Sequence, residues 1–389
     1  MKIGIVTYVK CDNYGAELQA YALQWKLNQL GYDAELIDLQ KIEKDLASNA
    51  SSIIPALKNR FKVYGLKAPY EISKLVIDVI RRKLSSKKNE SNAAEKHKLF
   101  LNFFENFIRH SKSYYTIEEI RKATDLPYDV YIAGSDQIWN YMHNDNLDVY
   151  FLEFAKKYNA RRISYAASIS AATIPNKYHL EYKKLLENIQ YLSVRELQGA
   201  QLIEDLTGRK AEVVLDPTLL ITSIEWSKNI AINPLKGEKY VLVYTLSGSK
   251  YINDLCEYVA GILKCKVVNM KINFRKDDSE SMTDFFKLGP QEWVGLISGA
   301  SYVITDSFHG TAFSINFNKP FTTLVNPVSN MNSRVLSILN IMGLEDRIIF
   351  DDGTKQIPKS LSIDYVPVNR QLKIWRDRSI EFIRKSLEV

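Results

Sequence analysis

A single histidine stands where a strand should end and a helix should begin. His309 lies in the stretch ITDSFHGTAFSIN and is one of only five histidines in the chain. The β-branched residues before it predict a buried strand, and the small apolar residues after it predict a buried helix. The N–H groups at a helix start attract anions, and an imidazole there can transfer a proton. His309 is therefore either a general acid or a residue with only a structural role at the start of the helix.

Two further features would place an anion beside that histidine. Ser307 and Gly310 flank it, so hydroxyl and N–H donors at the helix start would face a negatively charged ligand. In the stretch SVREL, Arg195 follows another apolar strand. A guanidinium at that place can bind a carboxylate or phosphate through two parallel hydrogen bonds, or it can pair with Glu196 or another acid.

A group of polar side chains with one aromatic ring follows a further strand, in the stretch AGSDQIWN. Asp136, Gln137 and Asn140 could bind sugar hydroxyls while the ring of Trp139 covers a sugar face. Asp136 could also serve as the base for a reacting hydroxyl. The alternative is a polar turn that encloses a buried tryptophan.

The stretch CDNYGAELQAYAL follows the first strand and opens a helix. Asn13 and Gly15 suit a tight turn that brings backbone N–H groups toward a ligand, and the alternative is a capped helix start. The spacing G-x-G-x-x-G of dinucleotide sites is absent from this stretch. In LDPTLL, we interpret Asp216 and Pro217 as part of an ordered crossover between elements and not as part of a site.

The elements that must hold these residues alternate along the chain. Apolar strands such as KIGIVTYV and YDVYIAGS are separated by helical segments, and a second series of the same kind begins near Pro234. This alternation predicts α/β domains with parallel sheets and helices on both faces. In such sheets ligands bind outside the carboxyl ends of the strands, where most of the residues named above would lie.

We therefore expect two Rossmann-like, doubly wound domains. The predicted N-terminal domain covers residues 1–220 and carries a helical, basic insertion at 41–126. The predicted C-terminal domain covers 221–368, and a last helix in 369–389 is expected to pack back on the first domain. The length of 389 residues fits two domains better than one.

Composition limits the class of protein. A hydrophobic content of 46% with 25% charged residues is that of an ordinary globular protein, and no apolar run is long enough to span a bilayer. The chain opens with a predicted strand and not with a signal peptide pattern. Three scattered cysteines fit neither a disulfide framework nor a zinc site, which indicates a reducing compartment. We expect a cytoplasmic protein that does not bind nucleic acid.

The positive charge is concentrated in one segment. Residues 58–88 hold ten basic side chains and only two acidic ones, so the remainder of the chain is nearly neutral. Apolar residues recur within the segment at helical spacing. Such a pattern fits either a helix that lies on an anionic membrane surface or a solvated basic face.

Taken together, the motifs resemble those of the polysaccharide pyruvyl transferase family. The resemblance lies in NYGAELQAYAL, AGSDQIWN, SVRE followed by VVLDPTLL, and SFHGTAFSI followed by NKPF, which arrive in the family's order. It covers most of the chain except the insertion at 41–126. The resemblance implies a GT-B-like fold, in which two Rossmann-like domains enclose the active site.

The resemblance also implies a reaction. Phosphoenolpyruvate would donate pyruvate to two hydroxyls of a sugar, giving a ketal and phosphate, with no metal and no cofactor. The acceptor would belong to a bacterial surface polysaccharide or its polyprenyl-diphosphate-linked precursor at the inner face of the membrane. The alternatives are a glycosyltransferase that uses a nucleotide sugar and a non-catalytic carbohydrate-binding relative.

Residue by residue, the resemblance suggests three sets of contacts. His309 would be the general acid and Asp136 the base. The donor would be bound by Arg195, Ser307, Gly310, Lys319 and Arg334. The acceptor would be bound by Asn13, Tyr14, Glu17, Gln137, Trp139 and Asn140.

Overall fold

In the computed structural model of the chain, the residues described are 1–39, 87–142, 146–246, 252–270, 287–327, 329, 332–352, 354 and 356–388. The basic segment 58–88 lies outside these residues, apart from the helical backbone of its last two lysines. The described part of the insertion holds the helices Lys87–Phe107 and Ile117–Lys122, and the residues between them include His110 and Tyr114, which form bridges with Leu36 and Leu39. Among the described residues, no helix combines the length and apolar character needed to cross a membrane.

The N-terminal sheet has four parallel strands, and its two central strands are mainly apolar and buried because helices cover both faces. Its order is β2–β1–β3–β4, with β1 Lys2–Val6, β2 Asp33–Leu36, β3 Val130–Ala133 and β4 Arg161–Ser164. A short parallel pair, β5 Ser193–Val194 and β6 Glu212–Val213, continues beside β4 through isolated bridges. The helices of this region are α1 Tyr14–Gln29, α2 Lys87–Phe107, α3 Ile117–Lys122, α4 Leu147–Tyr150, α5 Asn176–Leu186 and α6 Leu197–Thr207.

The C-terminal sheet has five parallel strands in the order β11–β10–β9–β7–β8. They are β7 Tyr240–Tyr244, β8 Lys266–Asn269, β9 Tyr302–Thr305, β10 Phe321–Val325 and β11 Ile348–Phe350. The helices that accompany them are α7 Ser223–Asn229, α8 Ile252–Leu263, α9 Pro290–Gly299, α10 Phe308–Asn316 and α11 Ser333–Met342. The last helix is α12, Tyr365–Leu387.

In both sheets the order in which strands are added reverses at the strand that comes first in the sequence. In the N-terminal sheet β1 lies between β2 and β3, and in the C-terminal sheet β7 lies between β8 and β9. Each sheet therefore has a switch point at which two loops diverge and leave a crevice at the carboxyl ends of the strands. The predicted fold class, two Rossmann-like doubly wound units in a GT-B-like arrangement, is confirmed.

Buried contacts join the two halves of the chain. Asn316, at the end of α10, donates to the carbonyls of Thr218 and Ile221 at 3.0 and 2.8 Å. Helix α12 returns to the N-terminal half, where the hydroxyl of Ser379 accepts a hydrogen bond from the N–H of Leu215 at 2.9 Å. These contacts bury polar groups as satisfied pairs, so they fix the register of the two halves without an unpaired donor.

An aromatic cluster holds the two halves together close to the crevices. The ring of Tyr14 in α1 stacks on Trp293 in α9, with centroids 5.5 Å apart, and its hydroxyl donates to the carbonyl of Leu288 at 2.9 Å. Phe100, from the insertion helix α2, packs against the same tyrosine at 5.0 Å. An ion pair of 2.9 Å between Glu95 of α2 and Lys287 adds a second link. The insertion therefore takes part in the domain interface.

Candidate active site

The loop after β3 and the start of α10 face each other at the two switch points. Asp136 follows β3 with a φ of 76°, in the left-handed region that is costly for most side chains. His309 lies in the first turn of α10, directly after β9, and is only 6% exposed. Backbone strain of this kind clusters at ligand sites, which supports placing the site at this crevice.

Arg195 lies between these loops and is paired with two acids. Its side chain is fully buried; Nη1 donates to Asp216 Oδ2 at 2.8 Å, and Nη2 donates to Asp136 Oδ1 at 3.2 Å. Nη1 also lies 3.4 Å from Ser135 Oγ. Arg195 is therefore committed to protein carboxylates, which is the alternative that the sequence left open, with Asp136 and Asp216 as partners instead of Glu196.

Asp216 is the residue of this cluster that sequence reasoning missed. It is 2% exposed and precedes the short 3₁₀ turn Pro217–Leu219. Besides Arg195, Oδ2 accepts from the hydroxyl of Ser135 at 2.9 Å, while Oδ1 accepts from the N–H and hydroxyl of Thr218 at 3.0 and 2.7 Å. The motif LDPT carries a signal for the turn, but nothing in it indicates a distant arginine.

Both carboxyl groups are held in the ionised form. Burial acts to raise the pKa of Asp136, but the charges of Arg195, His309 and Arg334 outweigh it and keep that pKa below its ordinary value. For Asp216 burial is likewise outweighed, by the nearby imidazole of His309 and by the charge of Arg195, and its pKa is well below the ordinary value. Asp136 at neutral pH is therefore a carboxylate that can accept, but not donate, a hydrogen bond.

His309 is held against the opposite half of the chain. Its Nε2 lies 3.6 Å from Asp216 Oδ2, within ion-pair range but too far for a hydrogen bond. The face of the ring packs against Gly15 in α1, where an added Cβ would lie 1.9, 2.4 and 2.5 Å from Nδ1, Cγ and Cε1. Glycine at position 15 is therefore required for the histidine to reach this place.

Arg334 is a cation that no carboxylate of the described residues pairs with. It reaches the cluster from α11; its Cζ lies 5.9 Å from the centroid of Phe308, and that of Arg195 lies 4.6 Å from the same ring. Among the described residues Arg334 forms no ion pair, and its buried Nε has no hydrogen-bond partner. Burial lowers the pKa of Arg334 to about 10, and the charge of Arg195 adds to this effect.

Gln137 lies beside Arg334. Turned with its amide oxygen toward the guanidinium, it accepts from Nη1 and Nη2 at 3.3 and 3.2 Å, and its nitrogen lies 3.3 Å from Ser170 Oγ. A neutral amide leaves the positive charge uncompensated. The pair thus presents an oriented cation at the crevice, as a bound anion requires.

The start of α10 offers fewer free donors than the sequence suggested. Ser307 caps the helix, and its hydroxyl accepts from the N–H of Gly310 at 3.4 Å. A Cβ at position 310 would lie 2.3 Å from Thr305 Oγ1, so this glycine is required for packing. The N–H of Gly310 already has a partner in this structure, and a direct contact between Gly310 and a ligand stays a prediction.

The expected sugar platform around Trp139 is also wrong. Trp139 is fully buried, stacks on Phe151 with centroids 4.4 Å apart, and donates to the carbonyl of Tyr150 at 3.0 Å. Asn140 is equally buried and accepts from the N–H of Met142 at 2.9 Å. Both side chains support the loop that carries Asp136 and Gln137, and neither can reach a ligand.

Of the residues predicted at the start of α1, one can still contact a ligand and two cannot. Asn13 is exposed and caps the helix by accepting from the N–H of Ala16 at 3.2 Å, so it remains a candidate contact. Tyr14 is 2% exposed within the domain interface and cannot contact an acceptor. Glu17 is fully buried, and its carboxyl accepts the N–H of Lys10. Glu17 therefore shapes the loop after β1 and does not face the crevice.

Lys319 lies at the other end of the C-terminal sheet. It precedes β10, at the amino ends of the strands, whereas His309 follows β9 at the carboxyl ends. It lines a separate open cavity of about 460 Å³ with residues that include Ser227 and Lys228. The expectation that Lys319 contacts the donor is therefore wrong.

No group of three or more metal-ligating side chains with suitable geometry occurs in the part of the chain that the structure describes. The acids that lie at the crevice, Asp136 and Asp216, are both paired with Arg195. The polar groups of the site are thus arranged around arginines and an imidazole.

Comparison with protein families gives one result over most of the chain. The family model described as polysaccharide pyruvyl transferase matches residues 13–327. This range includes Asp136, Arg195, Asp216 and His309. No curated protein matches the chain.

Solved structures that are similar to this chain in fold share little sequence with it. UDP-GlcNAc 2-epimerase from Methanocaldococcus jannaschii is 12% identical, with a TM-score of 0.45 over 97% of this chain and 93% of that chain. MurG from Acinetobacter baumannii is 9% identical, with a TM-score of 0.43 over 99% of each chain. The E. coli heptosyltransferase WaaC is 11% identical, with a TM-score of 0.38 over 96% and 99%. At these values the likeness indicates nothing about the ligand of this chain.

The contact between Gly15 and His309 predicts a specific coupling. Gly15→Ala should destabilise the parent by about 1–3 kcal/mol, because the new methyl group overlaps Nδ1 and the ring must move. In a His309→Ala background the same change should cost at least about 1 kcal/mol less, since alanine otherwise favours a helix. Urea unfolding of the four proteins measures this coupling, and equal costs in both backgrounds would contradict the contact.

Glu17 predicts a pH dependence of stability. Burial raises the pKa of its carboxyl to about 8, although the N–H groups of Lys10 and Cys11 oppose the shift. The neutral acid is thus favoured in the folded state, so its contribution is complete below about 4.5 and is lost as the pH rises through about 8. Glu17→Gln should lack this loss and gain on the parent by a few kcal/mol between about pH 5 and about pH 9. A difference that is independent of pH in denaturant titrations would show that Glu17 is ionised in the folded protein.

Proposed function

The chain belongs to the polysaccharide pyruvyl transferase family and is a transferase of polysaccharide biosynthesis, and from this we propose that it moves pyruvate from phosphoenolpyruvate onto two hydroxyls of a sugar. Phosphate is the second product. The observation that carries the proposal is the position of Arg334, a cation without an acidic partner among the described residues, beside the ring that also contacts His309. A highly charged donor requires such a cation.

Arg334 is the residue proposed to bind the donor. Its guanidinium presents two N–H groups in the plane that a carboxylate or phosphate matches. Gln137 holds it through a neutral oxygen, so its charge remains available. Arg195 is proposed to act through Asp136 and Asp216, because its Nη1 and Nη2 groups donate to their carboxylates. Ser307 keeps the first turn of α10 in place beside it.

His309 is the proposed acid. Its proton passes to the methylene carbon of phosphoenolpyruvate, and the electron pair of the double bond forms the new C–H bond. The positive charge that results at C2 is shared with its oxygen and makes that carbon an electrophile. One sugar hydroxyl then adds to C2 and gives up its proton, and the C–O bond to phosphate breaks. A second hydroxyl closes the ketal and also gives up its proton; of the two released protons, one restores the acid and the other leaves with phosphate. This sequence uses acid–base chemistry of the chain's own side chains.

Asp136 is the proposed acceptor of the hydroxyl proton or hydrogen bond. Its Oδ1 is held by Arg195 and by the N–H of Gln137 at 2.8 Å. The ionised carboxylate lies across the crevice from His309, and its side chain is 10% exposed. A sugar bound between the two would meet an acceptor of protons on one side and the activated donor on the other. Asn13 and Gln137 are the further polar groups proposed for it.

The acceptor is proposed to be a sugar of a surface polysaccharide, carried on a polyprenyl diphosphate at the cytoplasmic face of the membrane. The support for a membrane-bound acceptor is the basic segment 58–88, whose sequence interleaves cationic and apolar residues. This segment belongs to the insertion, and the described helix α2 of the insertion packs at the domain interface.

The direct test is incubation of the protein with phosphoenolpyruvate and a panel of free and lipid-linked galactosides, mannosides and N-acetylmannosamine glycans. Mass spectrometry should show the gain of one pyruvate ketal on a member of the panel, with an equal amount of phosphate released. Release of a nucleotide from a nucleotide sugar, with phosphoenolpyruvate intact, would indicate a glycosyltransferase. Glycan binding without consumption of either donor would indicate a non-catalytic relative.

Two basic residues provide a matched test of the donor site. Arg334→Gln should raise the KM for phosphoenolpyruvate by about 10- to 100-fold, because one charge-assisted pair of hydrogen bonds is lost. Lys319→Gln removes the same charge at the far end of the sheet and should leave that KM within about 3-fold of the parent. Steady-state kinetics at constant acceptor separates the two. An unchanged KM in Arg334→Gln would remove this residue from the donor site.

The basic segment predicts binding to anionic membranes. In vesicle flotation the parent should float with anionic vesicles and remain below with neutral ones, and added salt should weaken the association. Replacing Arg81, Arg82 and Lys83 by serine should reduce the floating fraction. Equal recovery with both kinds of vesicle, unchanged in the triple variant, would leave the segment as a solvated basic face.

A further inference from the structure

One carboxylate oxygen, Oδ2 of Asp216, lies close to polar side chains from both halves of the chain. Asp216 Oδ2 accepts from Arg195 at 2.8 Å and from Ser135 at 2.9 Å, and the imidazole of His309 lies 3.6 Å away. Arg195 and Ser135 belong to the N-terminal half, whereas His309 opens a helix of the C-terminal half. Asp216 itself lies on the segment that connects the halves, which places it between them.

The carboxylate cannot rotate away from this position. Its second oxygen, Oδ1, is held by the N–H and the hydroxyl of Thr218. The two donors on Oδ1 and the two on Oδ2 fix the plane of the group. The side chain has no exposed surface through which water could replace these donors. The orientation of Oδ2 toward His309 is therefore set by the fold before a ligand binds.

The histidine nitrogen that lies nearest to this oxygen has no hydrogen bond among the described residues. His309 Nε2 is buried and has no hydrogen-bond partner among the described residues, although it points to a carboxylate oxygen. A buried polar nitrogen without a hydrogen bond is costly. Closing the gap to about 2.9 Å would complete a strong bond to an ionised acceptor. Catalytic hydrogen bonds are often long without a ligand and shorten when it binds.

We infer that Asp216 is the positioning residue for His309, and this inference rests on the proposed function. Asp216 accepts the Nε2–H of the ring, so the proton that moves to the methylene carbon of the donor is the one on Nδ1. In that step the Nδ1–H bond breaks and the C–H bond forms. The ring becomes neutral, with Nε2–H still directed at Asp216. The side chain of Asp216 touches neither substrate, since Thr218, Arg195, Ser135 and His309 surround it.

Histidine tautomers give a test that does not depend on turnover. In the ¹⁵N-histidine NMR spectrum of the parent, at a pH where the ring is neutral, His309 should be the Nε2–H tautomer, because Asp216 accepts from that nitrogen. Loss of the signal in His309→Gln assigns it among the five histidines. A neutral ring that carries its proton on Nδ1 in the parent would overturn the inference, without the need for any variant to fold.

Kinetics provide the second arm. Asp216→Asn should lower kcat by about 10²–10⁴-fold while the KM for phosphoenolpyruvate stays within about 3-fold, and its His309 signal should move toward the Nδ1–H tautomer. Asp346→Asn is the matched control, because it makes the same change at an acid that pairs with the buried Arg347 just before β11, at the amino ends of the strands, and it should keep both kcat and tautomer. Parent-like kcat in folded Asp216→Asn would overturn the inference. A parent that consumes no phosphoenolpyruvate would instead overturn the proposed function, and the tautomer of the parent would still decide on Asp216.

Discussion

The site depends on one buried charge. The guanidinium of Arg195 has no exposed surface and is stable there because Asp216 and Asp136 pair with it at 2.8 and 3.2 Å. Loss of Arg195 would leave two buried carboxylates without this partner, and an uncompensated buried charge typically costs about 3–5 kcal/mol. The three side chains come from the ends of different strands, so this cluster ties the loops after β3, β5 and β6 together.

The cluster leaves the ligand-binding role to groups from the other half of the chain. The carboxylates of Asp136 and Asp216 offset the positive charge of Arg195. Arg195 therefore contributes little net positive charge toward a bound anion. His309 and Arg334 both approach from the C-terminal half, where the ring of Phe308 lies 5.9 Å from Arg334 and 4.6 Å from Arg195. Their approach depends on the stacked pair Tyr14 and Trp293 and on the absence of a side chain at Gly15. The geometry at the crevice is therefore a property of the domain interface.

Much of this arrangement could be predicted from the sequence. The alternation of strands and helices indicated two doubly wound units. Asp136, Arg195 and His309 each follow a strand, which indicated that they lie at the carboxyl-end edge of a sheet. The topological rule then brings them together. Asp216 could not be predicted in the same way, because its motif explains a local turn and its arginine partner is set by the tertiary fold.

The errors of the sequence interpretation have a common cause. Trp139 and Asn140 follow the same strand as Asp136, but they point into the core and support the loop from behind. Lys319 lies close to His309 in sequence, yet helix α10 carries the chain to the opposite end of the sheet before Lys319 is reached. Residue type and spacing indicate which loop forms a site, whereas the direction of each side chain depends on packing that involves distant segments.

The central claim is that His309 protonates the methylene carbon of the donor, and the measurement that tests it most directly is the reaction in D₂O. The account predicts that the methyl group of the ketal carries a single solvent-derived deuterium. It also predicts that His309→Gln, while folded, loses phosphate release and deuterium incorporation together by at least about 100-fold. A ketal methyl group without deuterium, or a His309→Gln protein that turns over within a few-fold of the parent, would contradict it.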